Sequence, residues 1–245
     1  MLGAVGELTS HFVEGPRACD YLAARLAALE YRVMTGVSAD ELQAMLERGW
    51  RRLGPFYFRP ACAGCLECVS LRIPVASFAP SRSQRRALRR VRRMRVEMAR
   101  PRVDGRRLAL YARWHAMREE RRGWAPAALD AHDYWAQFAY PHPAARELSL
   151  HDGDRLVAVS LCDVTERAWS AVYSFYDPDL GRLSPGVANV MLCVELARQR
   201  GIPHVYLGYR VLGCASMRYK ASFRPHELLV GRPGADEEPA WIAAP

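Results

Sequence analysis

The feature that most constrains the fold is a set of three strand-like segments joined by very short turns. Glu147 to His151, Arg155 to Val164 and Ala168 to Phe175 are separated only by Asp152-Gly153-Asp154 and by Thr165-Glu166-Arg167. A parallel return needs a crossover of a dozen or more residues, so connections this short join antiparallel neighbours, and the three segments form a meander. A helix-period segment from about Val187 to Arg200 follows, Gly201 ends it, and Pro203 precedes a strand from His204 to Tyr209. Met217 to Val230 closes the unit. The second half therefore reads as an ordinary α/β domain.

The first half reads as a cysteine-bearing, loop-rich module that feeds an arginine-rich segment. Ser38-Ala-Asp-Glu41 is a capping-box pattern, Leu42, Met45 and Leu46 give one apolar face, and Gly49 is a suitable stop, so a short helix is expected there. Gly54-Pro55 turns the chain into Phe56-Tyr57-Phe58. Leu71 to Phe78, interrupted by Pro74, reads as an edge strand or extended segment. Ser83 to about Arg93 suits a helix with Leu88 and Val91 facing inward, and Met94, Val96 and Met98 then alternate with a strand period. Leu108 to Arg118 returns to a helical pattern, which Pro141-His142-Pro143 breaks. The expected division is residues 1–100 and 101–245, the change of character lying near residues 100 to 145.

At 245 residues, half of them hydrophobic, the chain can bury a sizeable core. The start, MLGAVGELTSHFVEG, lacks a basic stretch followed by an apolar one, and no apolar run reaches the roughly 20 residues that span a bilayer. The expectation is a soluble, cytoplasmic protein with no membrane partner. The formal net charge is +9, and its distribution is more telling than its size. Between Ser81 and Arg107 there are twelve arginines against Glu97 and Asp104, a local +10, so the remainder comes to about −1. Ser83, Gln84, Arg85, Arg86, Arg89 and Arg90 offer guanidinium forks and small polar groups that suit a phosphate backbone, and the expected partner is RNA. A solvated basic helix is the plainer alternative, although so dense a run of one sign repels itself without a polyanion.

Cys62-Ala-Gly-Cys65-Leu-Glu-Cys68 repeats a C-x-x-C step, and Cys19 is the nearest cysteine outside it. Closely spaced thiolates can converge on one ion, zinc for a structural site or an iron–sulfur cluster for a redox sensor; the alternative is reduced thiols packing a loop. Toward the carboxyl end, Tyr206, Gly208, Tyr209, Tyr219 and Lys220 fall within fifteen residues. Strand tyrosines usually pack with a satisfied hydroxyl. Their concentration beside an amine and a glycine, which would let a substrate backbone approach, makes this stretch the candidate reaction site. No serine, cysteine and histidine set stands in a nucleophile pattern.

Cys19-Asp-Tyr21-Leu22, Arg48-Gly49-Trp50-Arg51-Arg52, Phe58-Arg59-Pro60, the cysteine triplet, Leu71-Arg72-Ile73 and Ser83-Gln84-Arg85-Arg86 resemble the amino-terminal domain of the arginyl-tRNA–protein transferase family. Phe175-Tyr176-Asp177-Pro178, Tyr206-Leu207-Gly208-Tyr209, Met217-Arg218-Tyr219-Lys220-Ala221 and Phe223-Arg224-Pro225 resemble its carboxyl-terminal domain in the same order. The resemblance covers about residues 17 to 230, and the bacterial aspartate/glutamate leucyltransferase branch is the nearer. It departs at Leu183-Ser184-Pro185-Gly186, where the family usually has Ser-Leu-Gly-Thr. It departs again at Arg210, where the family usually has tryptophan, and at Ser216, where it usually has lysine.

The resemblance implies an α/β (α+β) fold with a GNAT-like acyltransferase domain behind a small cysteine-containing domain. It implies transfer of an amino acid, leucine before arginine, from charged tRNA to the amino terminus of proteins beginning with Asp or Glu, which marks them for N-degron proteolysis. The expected partners are aminoacyl-tRNA and such proteins, and the activated ester makes a cofactor unnecessary for transfer. Tyr206, Gly208, Tyr209, Tyr219 and Lys220 are the expected aligning groups, with Asp177 as an amine-orienting carboxylate and Arg210 and Arg218 as acceptor-binding cations. Two rivals stand beside this reading. An acyl-CoA N-acyltransferase on the same fold is disfavoured by the loop Arg182 to Ala188, one residue too long for a pyrophosphate cradle and containing proline. The other is a non-catalytic RNA-binding protein.

Overall fold

The computed structural model describes residues 6–123 and 129–244. The first half is more regular than its sequence suggested. β1 (Glu7–Ala18) and β2 (Leu26–Thr35) form a long hairpin, α1 (Ala39–Glu47) follows, and β3 (Arg51–Leu53) and β4 (Phe56–Pro60) complete an antiparallel sheet of order β1-β2-β4-β3. Nearly every residue of β1 is exposed, so no core imposes a period of two on it. The α1 capping box is realised: Ser38 Oγ accepts from the Glu41 N–H at 3.1 Å and Glu41 returns to the Ser38 N–H at 2.8 Å.

The remaining strands are β5 (Val69–Pro74), β6 (Arg95–Ala99), β7 (Ala145–Asp152), β8 (Arg155–Val164), β9 (Ala168–Tyr176), β10 (His204–Arg210), β11 (His226–Leu229) and β12 (Trp241–Ala244). They form a second sheet of order β12-β11-β5-β10-β9-β8-β7-β6. The meander β7–β8–β9 lies where the turns required it. Among the described residues only β9 and β10 run parallel. β5, expected at an edge, sits between β11 and β10. Pro74 is its last residue, so the missing N–H falls at the end of the ladder, while Leu71 and Ile73 are fully buried. β5 and β6 fall within residues 1–100 yet belong to the larger sheet, so the two sequence halves interleave.

α2 (Arg82–Val91) and α5 (Pro185–Gln199) cover one face of the larger sheet, with Leu71, Ile73, Val205 and Leu207 packed beneath α5. α3 (Gly105–Arg122), α1 and the small sheet cover the other. Among the described residues there are also two single-turn helices, α4 (Ala131–Tyr134), which continues into a π turn over Trp135–Ala139, and α6 (Ala215–Arg218), which continues into a 3-10 turn over Tyr219–Ser222, and a 3-10 helix over Pro178–Leu183. Among the described residues no helix is long and apolar enough to cross a membrane.

Candidate functional site

β9 and β10 pair only through His204↔Ala168, Val205↔Trp169 and Tyr206↔Ser170. Beyond that point the two parallel strands share no ladder, although β9 continues to Tyr176 and β10 to Arg210. Two irregularities accompany the parting: β9 slips against β8 between Ala171 and Tyr173, and β10 slips against β5 between Tyr206 and Gly208. The result is a wedge between neighbouring strands, walled by backbone N–H and C=O groups that have lost their ladder partners.

Arg51 of β3 reaches into the apex. Its guanidinium donates to Ser170 Oγ at 2.9 Å and to the Ala171 carbonyl. Gly208 makes room for it: its φ is +73°, and a Cβ there would stand 3.2 Å from Arg51 Nε and 3.3 Å from Cζ. The glycine read in the sequence as admitting substrate thus admits one of the chain's own arginines. Sequence reasoning quoted Arg51 within a motif and assigned it no role; the signal available was a pair of arginines in a short strand flanked by Trp50 and Leu53.

Lys220 lies against the same stretch of backbone, its Nζ donating to the Tyr209 carbonyl at 2.9 Å. Burial, reinforced by the nearby Arg51 charge, brings its pKa down to about 7. Tyr21, in the loop between β1 and β2, is held up at about 12, first by burial and then by the neighbouring Cys68 thiol. Tyr219 is 43% exposed at this mouth, and its pKa is raised by burial and by Tyr176 against the opposing influence of Arg118. Arg118 Nη2 of α3 stands 3.5 Å from the Tyr176 hydroxyl.

The other expected transfer residues are engaged elsewhere. The Tyr206 hydroxyl accepts from Arg72 at 3.2 Å, and its ring meets Trp241 edge-on. Tyr209 directs its hydroxyl to the carbonyls of Gly49 at 2.9 Å and Phe58 at 3.2 Å, tying the small sheet to β10. Asp177 is fully buried. One oxygen accepts from Arg113 and the Asp179 N–H, the other from Arg113 and Arg155, so its lone pairs are filled and none is left for a substrate amine. Arg210 is half-buried beside His226, whose pKa burial and then the Arg210 and Arg224 charges lower against the Phe223 carbonyl. Arg218 is exposed on α6.

On the opposite face, α2 begins one residue earlier than expected, at Arg82, capped by Ser81. Gln84, expected on RNA, is buried: it caps the Ser81 N–H at 2.8 Å and donates to the Ser222 carbonyl at 3.0 Å. Ser83 bonds Ser81 at 2.9 Å. Arg85, Arg86, Arg89 and Arg90 are exposed, and Arg85, Arg86 and Arg89 border an open depression of about 630 Å³.

Cys19, Cys62, Cys65 and Cys68 share one neighbourhood, since burial and then the other three thiols hold Cys68 up at about 12. Cys62 is turned to the Ala28 backbone, and Arg232 donates to the Cys62 and Cys65 carbonyls. Among the described residues no group of three or more His, Cys, Asp or Glu side chains is drawn together as ligands of one ion, the four thiols standing only as neighbours.

The chain aligns with known proteins over both halves of this site. The arginine-tRNA-protein transferase family model matches in its N-terminal part over residues 17–86 and in its C-terminal part over residues 106–230. A protein of Halorhodospira halophila named aspartate/glutamate leucyltransferase is 39% identical over 216 residues, covering 87% of this chain and 91% of that one. A Campylobacter jejuni protein of the same name is 34% identical over 220 residues, covering 87% and 90%. Among solved structures, FemX superposes with a TM-score of 0.45 at 10% identity, over 83% of this chain and 79% of that one. With both parts of the family model in order and relatives aligned nearly end to end, the chain belongs to the arginine-tRNA-protein transferase family.

Proposed function

We propose that the chain moves an amino acid, leucine in preference to arginine, from charged tRNA to the α-amine of proteins that begin with Asp or Glu, a step that marks them for N-degron proteolysis. Alignment over most of the chain with relatives named aspartate/glutamate leucyltransferase supports the donor and the acceptor. The β9/β10 wedge supports the chemistry. The acceptor amine attacks the ester carbonyl carbon, a C–N bond forms, the bond to the terminal ribose oxygen breaks, and the amine's proton leaves with the ribose as its hydroxyl. Lys220, an amine near neutrality at the wedge, suits the passage of that proton; Tyr219 suits orientation of the ester. A GNAT-like reading of the larger sheet belongs to the same proposal and is supported by one parallel pair that opens into a cleft.

An acyl-CoA donor is less well served. At the start of α5, Pro185 has no N–H, and the Val187 and Ala188 N–H groups bond to the Ser184 carbonyl. Little is left to cradle a pyrophosphate. Incubation with labelled leucyl-tRNA and a peptide beginning with Asp tests the proposal: label should enter the peptide, and neither acyl-CoA nor uncharged tRNA should substitute.

The exposed arginines of α2 are proposed as the contact for the tRNA backbone. Changing Arg85, Arg86, Arg89 and Arg90 to glutamine should weaken every tRNA alike and flatten the slope of log affinity against log salt by up to about 0.9 per contact removed. An unchanged slope would place the tRNA elsewhere.

The four cysteines, as a donor set, remain proposed for zinc or an iron–sulfur cluster, with no part in transfer. Metal analysis and absorbance spectra of anaerobically purified protein should then show zinc or a cluster chromophore. Absence of both, with folding intact when all four are serine, assigns them to packing.

A further inference from the structure

The wedge holds a cation without a counter-ion. Arg51 is only 9% exposed, and among the described residues no carboxylate lies within salt-bridge distance of it. The acid closest to its part of the chain, Asp163, is taken by Arg52 through Nε contacts of 3.2 Å to both oxygens. Arg51's two acceptors, Ser170 Oγ and the Ala171 carbonyl, are neutral and use part of a five-donor fork. Burying a guanidinium so incompletely matched is costly. Among the described residues Lys220, the next cation along the Gly208–Tyr209 backbone, also has no carboxylate partner and donates to the Tyr209 carbonyl. Gly208 adds a second sign of purpose: its positive φ and missing Cβ are what allow the guanidinium to reach the apex.

We propose that Arg51 is the residue that receives the side-chain carboxylate of the acceptor's first residue, and so sets the preference for an acidic amino terminus. This rests on the proposed function above and names the group that carries its selectivity. A peptide entering the wedge amino end first would place its α-amine beside Lys220 and its first side chain toward the apex. A carboxylate meets the fork with charge-assisted, paired hydrogen bonds; an amide of the same shape brings an N–H₂ group against donors and leaves the charge unpaired. Arg210 and Arg218, the cations suggested by sequence, are less well placed for this discrimination: Arg218 is exposed, where water screens it, and Arg210 lies at the far end of β10 beside His226.

The test is a comparison of kcat/KM for peptides that differ only in beginning with Asp, Asn, Glu or Gln, at saturating leucyl-tRNA, in the parent, Arg51→Gln and Arg51→Lys. In Arg51→Gln the ratio of acid to amide should fall by roughly thirtyfold or more with tRNA affinity little changed. Loss of the Arg51 charge also lets the Lys220 pKa rise and slows all four peptides alike, so the ratio and not the rate reports on the carboxylate. Arg51→Lys keeps the charge without the fork and should fall between. If Arg51→Gln does not fold, the lysine variant still decides, because a purely packing role predicts an equal loss for all four peptides. An equal loss, or an unchanged ratio in both variants, overturns the proposal. Transfer to none of the peptides by the parent would instead remove the functional reading on which it rests.

Discussion

Lys220→Met is expected to slow single-turnover transfer from saturating leucyl-tRNA by roughly ten- to a thousandfold, with tRNA affinity nearly unchanged. The expectation follows from where the amine stands. It is held by the Tyr209 carbonyl at 2.9 Å, and its pKa is brought to about 7 by burial and by Arg51. At pH 6 it is mostly an ammonium and at pH 8 mostly a free amine able to take a proton from the attacking α-amine. Transfer in the parent should therefore climb through pH 7. In Lys220→Met that limb should vanish, leaving the acceptor's own titration near 7.7 to 8.0. Stability separates this from misfolding. Lysine with a depressed folded pKa binds fewer protons folded than unfolded, so its presence disfavours the fold near pH 7, and that penalty fades as pH rises toward the ordinary lysine range. Removing the amine loses a hydrogen bond of about 1 kcal/mol but relieves a larger penalty, since each pKa unit of depression is worth about 1.4 kcal/mol, so near pH 7 the midpoint of unfolding should rise and not fall. Full-rate transfer in the variant would take the proton-transfer role from Lys220 and leave Tyr219, tested as Tyr219→Phe, to be judged on its own.

Elements whose cause is local were legible in the sequence. The α1 capping box needs only Ser38 and Glu41, and the meander needs only two short turns, so both could be read before any contact was known. The α2 start lies one residue before the expected one, and the Ser81 cap that sets it is held by Gln84, which is itself buried against Ser222 far along the chain. β1 was missed because an exposed edge strand need not alternate. The site divides the same way. Lys220 and Tyr219 stood out as a concentration of polar groups. Asp177 stood out too, but Arg113 and Arg155, 64 and 22 positions away, occupy it. The placement of Arg51 was not legible, since it depends on two strands parting around it, and that parting accompanies register slips at Val172 and Leu207 that no local pattern records.

The largest expected effect on stability is at the neighbouring arginine. Arg52 is 8% exposed and Asp163 fully buried, and their ion pair, with Arg52 Nη1 on the Gly54 carbonyl at 2.9 Å, joins β3 of the small sheet to β8 of the large one. Asp163→Asn keeps the shape and removes the charge, leaving a guanidinium buried without a counter-ion. That should cost roughly 3–5 kcal/mol, a large part of the stability of a domain this size. Because buried pairs contribute little beyond an apolar replacement of similar volume, Arg52→Met combined with Asp163→Leu should recover most of the loss, although each change alone destabilises. Urea titrations of the parent, Asp163→Asn, the two single apolar variants and their combination at one pH test this, provided the slopes agree so that midpoints can be compared. A loss below about 1 kcal/mol in Asp163→Asn would mean that water reaches the pair. The same set bears on the wedge, because Arg51 precedes Arg52 on β3 and depends on that strand being docked. The double variant should therefore keep the preference for acidic over amide acceptors, separating the residue that anchors β3 from the one that faces the substrate.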